Sequence, residues 1–234
     1  MKTVFTPNAT SQLVVEDTVK LIKKKVDVLD LGCGEGYIGL NIYKKKKRYI
    51  KSFNFSDVSK KATNRCIKNL KKEKLKAIVE NGSMFDPWKN KKFDIIVESV
   101  SAISEPVAKR SSWYNKNIPC HAGIDGTKLV NNILLKARNY LNKNGMIIFP
   151  IVSFSKKEKI INLAKKKYKK VKLLSSKDWP LPKTMYKYEK EFEKLKKKKL
   201  IDYKKKIWNY FIHFIYLCCD KIDFIKMPRR LKWQ

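Results

Sequence analysis

The stretch VDVLDLGCGEGYIGL, residues 26–40, decides the fold that this sequence predicts. It opens with an apolar run over residues 26–31 that is typical of a buried strand. Glycines then stand at alternate positions, and a short helix follows that ends in lysines. Glycine lets the backbone take a positive φ and come close to a ligand, and a new helix presents N–H groups without partners. A strand, a glycine turn and a helix in this order predict a nucleotide-binding corner.

Three interpretations of the glycine turn compete. The dinucleotide fingerprint G-x-G-x-x-G is met by Gly34, Gly36 and Gly39. A longer pattern, D-x-G-x-G-x-G, begins at Asp30 and also accounts for Gly32, which the fingerprint ignores. A tight turn without a ligand is the third, but three alternating glycines weaken a strand and a helix unless something requires them. The longer pattern is therefore favoured.

The run VLDLGCGEG resembles motif I of the class I S-adenosylmethionine (SAM)-dependent methyltransferases. The resemblance implies an α/β, Rossmann-like class I methyltransferase fold, with a seven-stranded, mostly parallel sheet and an antiparallel last strand. It implies SAM as the cofactor, held through its methionine part by Gly32, Gly34 and Gly36. It also places Asp30 near the amine of that part.

The rest of the chain supplies elements in the order that this fold needs. An N-terminal helix is predicted with Thr10 or Ser11 as its cap, and a helix over 127–141 precedes the fifth strand. We expect an N-terminal segment and helix at 1–25, a methyltransferase domain at 26–219 and a basic tail at 220–234. The predicted strands are 26–31, 49–55, 77–80, 93–97, 146–149, 171–174 and 207–219.

Three further residues are candidates for binding the nucleoside part of SAM. An acid at the end of the second strand has the geometry to hydrogen-bond ribose hydroxyls, and Asp57 occupies that position. The alternative for Asp57 is a cap on the next helix. In related methyltransferases an acid in the loop after the third strand contacts adenine. The resemblance places Ser83 there, with Asp86 three residues later.

Phe5-Thr6-Pro7 and the helix after it resemble the start of the release-factor glutamine methyltransferases and their "small methyltransferase" relatives.

The end of the fourth strand departs from the pattern of that family. In glutamine and nucleobase-amine methyltransferases this strand ends in Asn-Pro-Pro-Tyr, which surrounds a planar amide or amine. Here Glu98, Ser99, Val100 and Ser101 stand in its place. The difference argues against simple transfer of the glutamine-methylating activity.

A long polar and aromatic loop, SWYNKNIPCHAGIDG over residues 112–126, is a second candidate region. Its end, AGIDG, resembles the GG-x-DG segment of the glutamine methyltransferases. His121 is one of two histidines in the chain and is expected at the carboxyl edge of the sheet, where open α/β sheets bind ligands. We predict that Glu98, His121 or Asp125 orients the methyl acceptor or takes a proton from it. The alternative for His121 is a loop residue without chemistry.

The composition is strongly basic, with a formal net charge of +34 over 234 residues. Such a charge favours a nucleic-acid partner. However, the chain is also rich in Ile, Asn, Tyr and Phe, which share AT-rich codons with Lys, and arginine, the better reader of bases and phosphates, is scarce. The lysine runs are therefore interpreted chiefly as solvated faces.

The cysteine and histidine content argues against a disulfide-bonded or metal-dependent protein. The five cysteines form no C-x-x-C pair, so neither a disulfide framework nor a metal site is predicted. No signal peptide is recognised, and a reducing cytoplasm fits the free thiols. The apolar run at 207–219 is shorter than the ~20 residues of a membrane span, so no stable membrane insertion is expected.

These observations predict an S-adenosyl-L-methionine-dependent methyltransferase whose acceptor is unidentified. Three acceptors stay open: a protein or ribosomal component, an RNA, and a small metabolite. The alternative from another class is a non-catalytic RNA-binding protein on a SAM-binding fold. Clustered lysines beside the cavity would favour RNA.

Overall fold

A computed structural model describes residues 8–111, 113–114, 120–202, 204–205 and 209–219. The segment 5–7, parts of the loop 112–126 and the tail 220–234 lie outside the described residues, so the predicted domain limits stay a prediction. No helix within the described part of the chain has the length and apolarity to cross a membrane.

The strands form one mixed sheet, and its order confirms the predicted fold. The order is β3-β2-β1-β4-β5-β8-β6, and a two-residue strand, β7, pairs with β8. All pairs from β3 to β5 are parallel, whereas β8 runs antiparallel to both of its long neighbours. The strands are β1 Val26–Leu31, β2 Ile50–Asp57, β3 Ile78–Asn81, β4 Phe93–Glu98, β5 Leu141–Val152, β6 Lys170–Pro180, β7 Lys204–Lys205 and β8 Asn209–Cys219.

Helices connect the parallel strands. The α-helices are α1 Ala9–Leu21, α2 Tyr37–Lys46, α3 Lys60–Lys72, α4 Glu105–Ala108, α5 Lys128–Ala137, α6 Lys157–Lys167 and α7 Glu189–Lys197. Short 3₁₀ helices lie at Lys47–Tyr49, Asp86–Trp88, Arg138–Tyr140 and Lys183–Tyr188. The fifth strand begins at Leu141, which the sequence placed in the preceding helix. The apolar pattern alone did not separate the end of α5 from the start of β5.

The cap of α1 differs from the prediction. Asn8, not Thr10 or Ser11, is the N-cap, and its Oδ1 accepts hydrogen bonds from the backbone N–H groups of Thr10 and Ser11 at 3.0 and 3.4 Å. The Asn8 N–H in turn donates to the Ser11 hydroxyl, so the two residues form a capping box. Asn is as good a cap as Ser or Thr, which is why the sequence left the position open.

Two apolar layers cover the sheet. One contains side chains of α1, α2 and α3, and the other contains side chains of α5 and α6. Strand β8 contributes to both, because Leu217 belongs to the first layer and Tyr216 and Cys218 belong to the second. A third apolar cluster, here called the lateral cluster, includes Phe154 of the segment after β5 and Phe192 of α7. The apolar content of β8 on both faces follows from its position inside the sheet.

The chain order in the sheet also fixes where a ligand can bind. The connection after β1 leads to β2 on one side, whereas β4 lies on the other side of β1. Ligands of open α/β sheets bind beside the carboxyl ends of the strands at such a reversal. Leu31 pairs with both Ser56 of β2 and Glu98 of β4 in register. The turns that follow these three residues therefore meet at one edge.

Candidate functional site

A cavity of about 430 Å³ opens at this edge of the sheet. Its volume lies in the range of small-molecule sites. One side, here called the cofactor half, is formed by the start of α1, the glycine turn and the residues after β2 and β3. The other side, here called the acceptor half, is formed by residues 99–103, Trp113, Tyr114, His121, Leu129 and the end of β5. The cavity thus has two walls of different origin.

The glycine turn has a backbone that only glycine adopts readily. Gly32, Gly34 and Gly36 have φ values of +76°, +54° and +85°. A Cβ on Gly32 would lie 2.7 Å from Val100 Cγ1, and one on Gly36 would lie 2.8 Å from Cys66 Sγ. Gly32 and Gly34 line the cavity, whereas Gly36 does not and instead begins α2 against α3. The turn therefore has two glycines that face the cavity and one glycine that packs against α3.

Asp30 lies behind the turn rather than in the cavity wall. Its side chain is fully buried, and its Oδ2 accepts a hydrogen bond of 2.8 Å from the Gly39 N–H of α2. Its Oδ1 is buried and has no hydrogen-bond partner. Burial raises the pKa of Asp30 to about 7; the Gly39 bond lowers it, and the negative charge of Asp57 adds to the increase. The predicted contact with the SAM amine does not follow from this position.

Asp57 does line the cavity, at the carboxyl end of β2. Its Oδ2 accepts a 3.0 Å hydrogen bond from the Gly34 N–H, and its Oδ1 accepts one of 2.8 Å from the Ser59 N–H. The cap of α3 is Ser59, whose Oγ accepts from the Ala62 N–H, so Asp57 is not itself the helix cap. Asp57 thereby joins the glycine turn to the β2 loop on the cofactor half.

The two candidates for the adenine contact are separated by the structure. Ser83 lines the cavity together with Met84. Asp86 is exposed, begins a 3₁₀ helix and is not part of the lining. The turn between them directs the two side chains differently, so only Ser83 is placed where a cofactor base could meet it.

Glu98 is the buried acid at the end of β4. Its Oε1 accepts a 2.7 Å hydrogen bond from the Val100 N–H, and its Oε2 is buried without a partner. Burial raises the pKa of Glu98 to about 8, against the opposing effect of the Val100 hydrogen bond. Glu98 is absent from the cavity lining, whereas Ser99, Val100 and Ser101 are in it. The acid shapes the loop that forms the acceptor half.

His121 and Asp125, predicted together, are separated. His121 lines the acceptor half. Asp125 does not: its Oδ2 pairs with Lys159 Nζ at 2.8 Å, and its Oδ1 accepts from the N–H and hydroxyl of Thr127. Burial favours the neutral acid, but these hydrogen bonds outweigh it and lower the pKa of Asp125. The expectation that Asp125 handles a proton of the acceptor is therefore not supported; its carboxylate holds the start of α5.

Sequence reasoning missed the aromatic and hydroxyl groups of the acceptor half. Trp113 and Tyr114 line the cavity although they lie in the loop before His121. Ser101 Oγ lies 3.0 Å from Cys120 Sγ and is also hydrogen-bonded to Tyr114. The polar and aromatic composition of residues 112–126 pointed to this region but not to these two side chains.

Comparison with known proteins agrees with the geometry. Residues 6–99 match the family described as Methyltransferase small domain. The chain is similar to a release factor glutamine methyltransferase of Borreliella burgdorferi, at 32% identity over 156 residues, or 63% of this chain and 52% of that protein. It is also similar to a ribosomal protein uL3 glutamine methyltransferase of Francisella tularensis, at 28% identity over 53% of this chain and 40% of that protein. This chain therefore spans about half the length, or less, of these curated relatives.

The fold has relatives among solved structures. A T. thermophilus 16S rRNA methyltransferase in complex with AdoMet and guanosine superposes with a TM-score of 0.59, at 16% identity, over 93% of this chain and 45% of that chain. At this identity the similarity shows the fold alone. The chain therefore has the α/β, Rossmann-like fold of this methyltransferase, and its residues 6–99 are similar to the Methyltransferase small domain.

Proposed function

We propose that this protein is a SAM-dependent methyltransferase. The observation that carries the proposal is the link between Asp57 and the glycine turn, in which the carboxylate lines the cavity and accepts from the Gly34 N–H. An acid at this position can bind both hydroxyls of a ribose, and an adjacent turn of backbone N–H groups suits a carboxylate. SAM carries both groups.

The residues of the cofactor half fit the remaining parts of SAM. Asp30 lies behind the glycine turn and outside the cavity lining, so we assign its carboxylate the support of α2 through the Gly39 N–H. Gly32 and Gly34 would hold the methionine part, Asp57 the ribose and Ser83 the base. When bound, SAM supplies a methyl carbon activated by a sulfonium leaving group, so the protein mainly positions the acceptor and excludes water.

The acceptor half supplies positioning and proton handling. His121 is the side chain in this wall that carries a basic nitrogen, and we assign it the orientation of the acceptor or removal of its proton. Glu98 is largely protonated at neutral pH because its pKa is raised to about 8. We therefore assign Glu98 to the support of loop 99–101 rather than to the role of a general base.

We further propose that the acceptor is a component of the translation apparatus, in the cytoplasm. The curated relatives are named for a release factor and a ribosomal protein as substrates. The net charge of +34 would bring the protein to any RNA-containing target. Each of these proteins is named as a methyltransferase, and none supports the non-catalytic alternative. The loss of Asn-Pro-Pro-Tyr leaves the methylated atom to experiment.

Calorimetry with SAM tests the cofactor assignment. Wild-type protein is expected to bind SAM with micromolar-scale affinity, and Asp57→Ala to lose about tenfold or more, since the charge-assisted hydrogen bonds of the carboxylate are removed. Asp178→Ala removes an exposed carboxylate of the edge strand β6 and serves as the matched control. Absence of heat with wild type, or equal affinity in wild type and Asp57→Ala, contradicts the assignment.

A further inference from the structure

We propose that Tyr114, paired with Ser101, is a specificity-determining residue that hydrogen-bonds the methyl acceptor. This inference rests on the proposed function and concerns the acceptor half alone. No motif places Tyr114 in a site, because it lies in a loop thirteen residues after Ser101. The structure brings the two side chains together in the cavity wall.

The first support is the anchoring of the segment that carries Tyr114. Trp113 and Tyr114 pack, partly buried, against the lateral cluster. The Trp113 ring lies 6.3 Å from the Phe154 ring between centroids, and Phe154 in turn lies 5.5 Å from Phe192. Aromatic contacts of this kind hold a ring with a defined orientation. The segment that carries Tyr114 is therefore anchored to the lateral cluster.

The second support is a chain of uncharged polar groups. Tyr114 is hydrogen-bonded to Ser101, and Ser101 Oγ lies 3.0 Å from Cys120 Sγ. Burial raises the pKa of Tyr114 above its usual range, and burial also raises the pKa of the Cys120 thiol. Both groups thus keep their protons at neutral pH. Tyr114 and Ser101 can then donate and accept hydrogen bonds without carrying charge.

The third support is the absence of carboxylates from this wall. Among the described residues that line the acceptor half, the polar side chains are hydroxyls, an indole and an imidazole. The carboxylates of the lining, Glu35 and Asp57, belong to the cofactor half. An uncharged wall of hydroxyl and aromatic groups suits a neutral amide or amine and disfavours a cation beside the sulfonium. The acceptor is therefore inferred to be neutral when it binds.

Ser101 stands where related methyltransferases have a tyrosine. In the Asn-Pro-Pro-Tyr pattern the fourth residue is tyrosine, whereas this chain has Ser101 at that place. Tyr114 returns a phenol to the same neighbourhood from a separate loop, in hydrogen-bond contact with the serine. The phenol that the strand end lacks is thus supplied from another part of the chain.

Tyr114→Phe is the decisive variant, because it removes one oxygen and keeps the ring. The assay measures the initial rate of label transfer from tritiated SAM, at saturating SAM, into the RNA and protein fractions of a cell extract. The rate is expected to fall at least tenfold, while calorimetry shows a SAM affinity within twofold of wild type. Tyr49→Phe, an exposed tyrosine with the same chemical change, is expected to match wild type.

A double-mutant cycle tests the pairing. Ser101→Ala is expected to reduce the rate, and Ser101→Ala with Tyr114→Phe to reduce it no further than Tyr114→Phe alone, because the hydroxyls act as a unit. A wild-type rate in Tyr114→Phe, or a parallel loss of SAM affinity, overturns the inference and leaves the proposed function in place. Full additivity of the two changes overturns the pairing. Wild-type protein that transfers no label overturns the proposed function and this inference with it.

Discussion

The two halves of the cavity are built in different ways. The cofactor half follows directly from residues close in sequence: the glycine turn, and Asp57 one strand later, joined by a 3.0 Å hydrogen bond to Gly34. The acceptor half collects residues 99–103, two aromatic residues of a loop, His121 and the end of β5. The first half depends on backbone conformation and the second on the docking of distant segments. This difference explains why sequence motifs point to residues of the cofactor half and not to those of the acceptor half.

The largest effect is expected where the halves meet, at Gly32. Gly32→Ala places a Cβ 2.7 Å from Val100 Cγ1 at a φ of +76°. Strain and overpacking together are expected to reduce the free energy of unfolding by about 2–4 kcal/mol and to abolish SAM binding. Urea unfolding and calorimetry measure the two effects.

Gly123→Ala is the control that separates backbone strain at a positive φ from the steric clash of the added Cβ. Gly123 has a φ of +82°, but a Cβ there meets its nearest neighbour at 3.4 Å, and the residue does not line the cavity. Its substitution is expected to cost about 1 kcal/mol and to leave SAM affinity within twofold. Equal loss of SAM binding in both variants would mean that the contact of Gly32 with the acceptor half is unimportant.

The second prediction separates the halves functionally. His121→Ala is expected to lower the rate of methyl transfer about 10–100-fold while SAM affinity changes less than twofold, because His121 lines only the acceptor half. Asp125→Asn, four residues away and outside the cavity, is the control and should keep the wild-type rate. A larger loss in Asp125→Asn than in His121→Ala would restore the role that the sequence suggested for the acid.

The third prediction concerns Glu98 and pH. The pKa of this buried acid is raised from 4.5 to about 8, so the folded state keeps a proton that the unfolded chain has lost. The stability linked to this proton is fully present below pH 4.5 and is lost as pH rises toward 8. Glu98→Gln should therefore flatten the fall of the free energy of unfolding between pH 5 and 8. Part of the pH dependence should remain in Glu98→Gln, because the pKa of Asp30 is also raised, to about 7.

Urea unfolding at several pH values measures this slope. Glu73→Gln changes an exposed acid that pairs with Lys44 and serves as the matched control. An unchanged slope in Glu98→Gln would show that the acid is ionised in the folded protein, and it would then be available as a base in the acceptor half.

The sequence allowed more of the cofactor half to be predicted than of the acceptor half. Gly32, Gly34, Asp57 and Ser83 line the cavity as expected for a cofactor wall. Asp30 lies one residue from the end of β1, yet its side chain turns beneath α2 to accept from Gly39. The sequence predicted that Asp30 lies near the end of β1. The packing of α2 decided which way its carboxylate faces.

The acceptor half shows the reverse. Glu98, predicted to act on the acceptor, is enclosed by the loop it supports, because Val100 donates to it. Tyr114, which no pattern singled out, reaches the cavity because Trp113 packs on Phe154, some forty residues away in sequence. Contacts over such separations leave no periodic signal, since neither residue needs a special backbone conformation.

By itself, the sequence determined the order of strands and helices, the glycine turn and the acid after the second strand. These features are readable because positive φ values, buried strands and strand ends each demand particular residue types at short spacing. Only the tertiary structure decided which acids face the cavity and which are buried with an unpartnered oxygen, as are Asp30 and Glu98. It also decided that Tyr114 meets Ser101. Those outcomes depend on how separate elements pack together. The local sequence allows several side-chain directions of similar energy, and packing selects one of them.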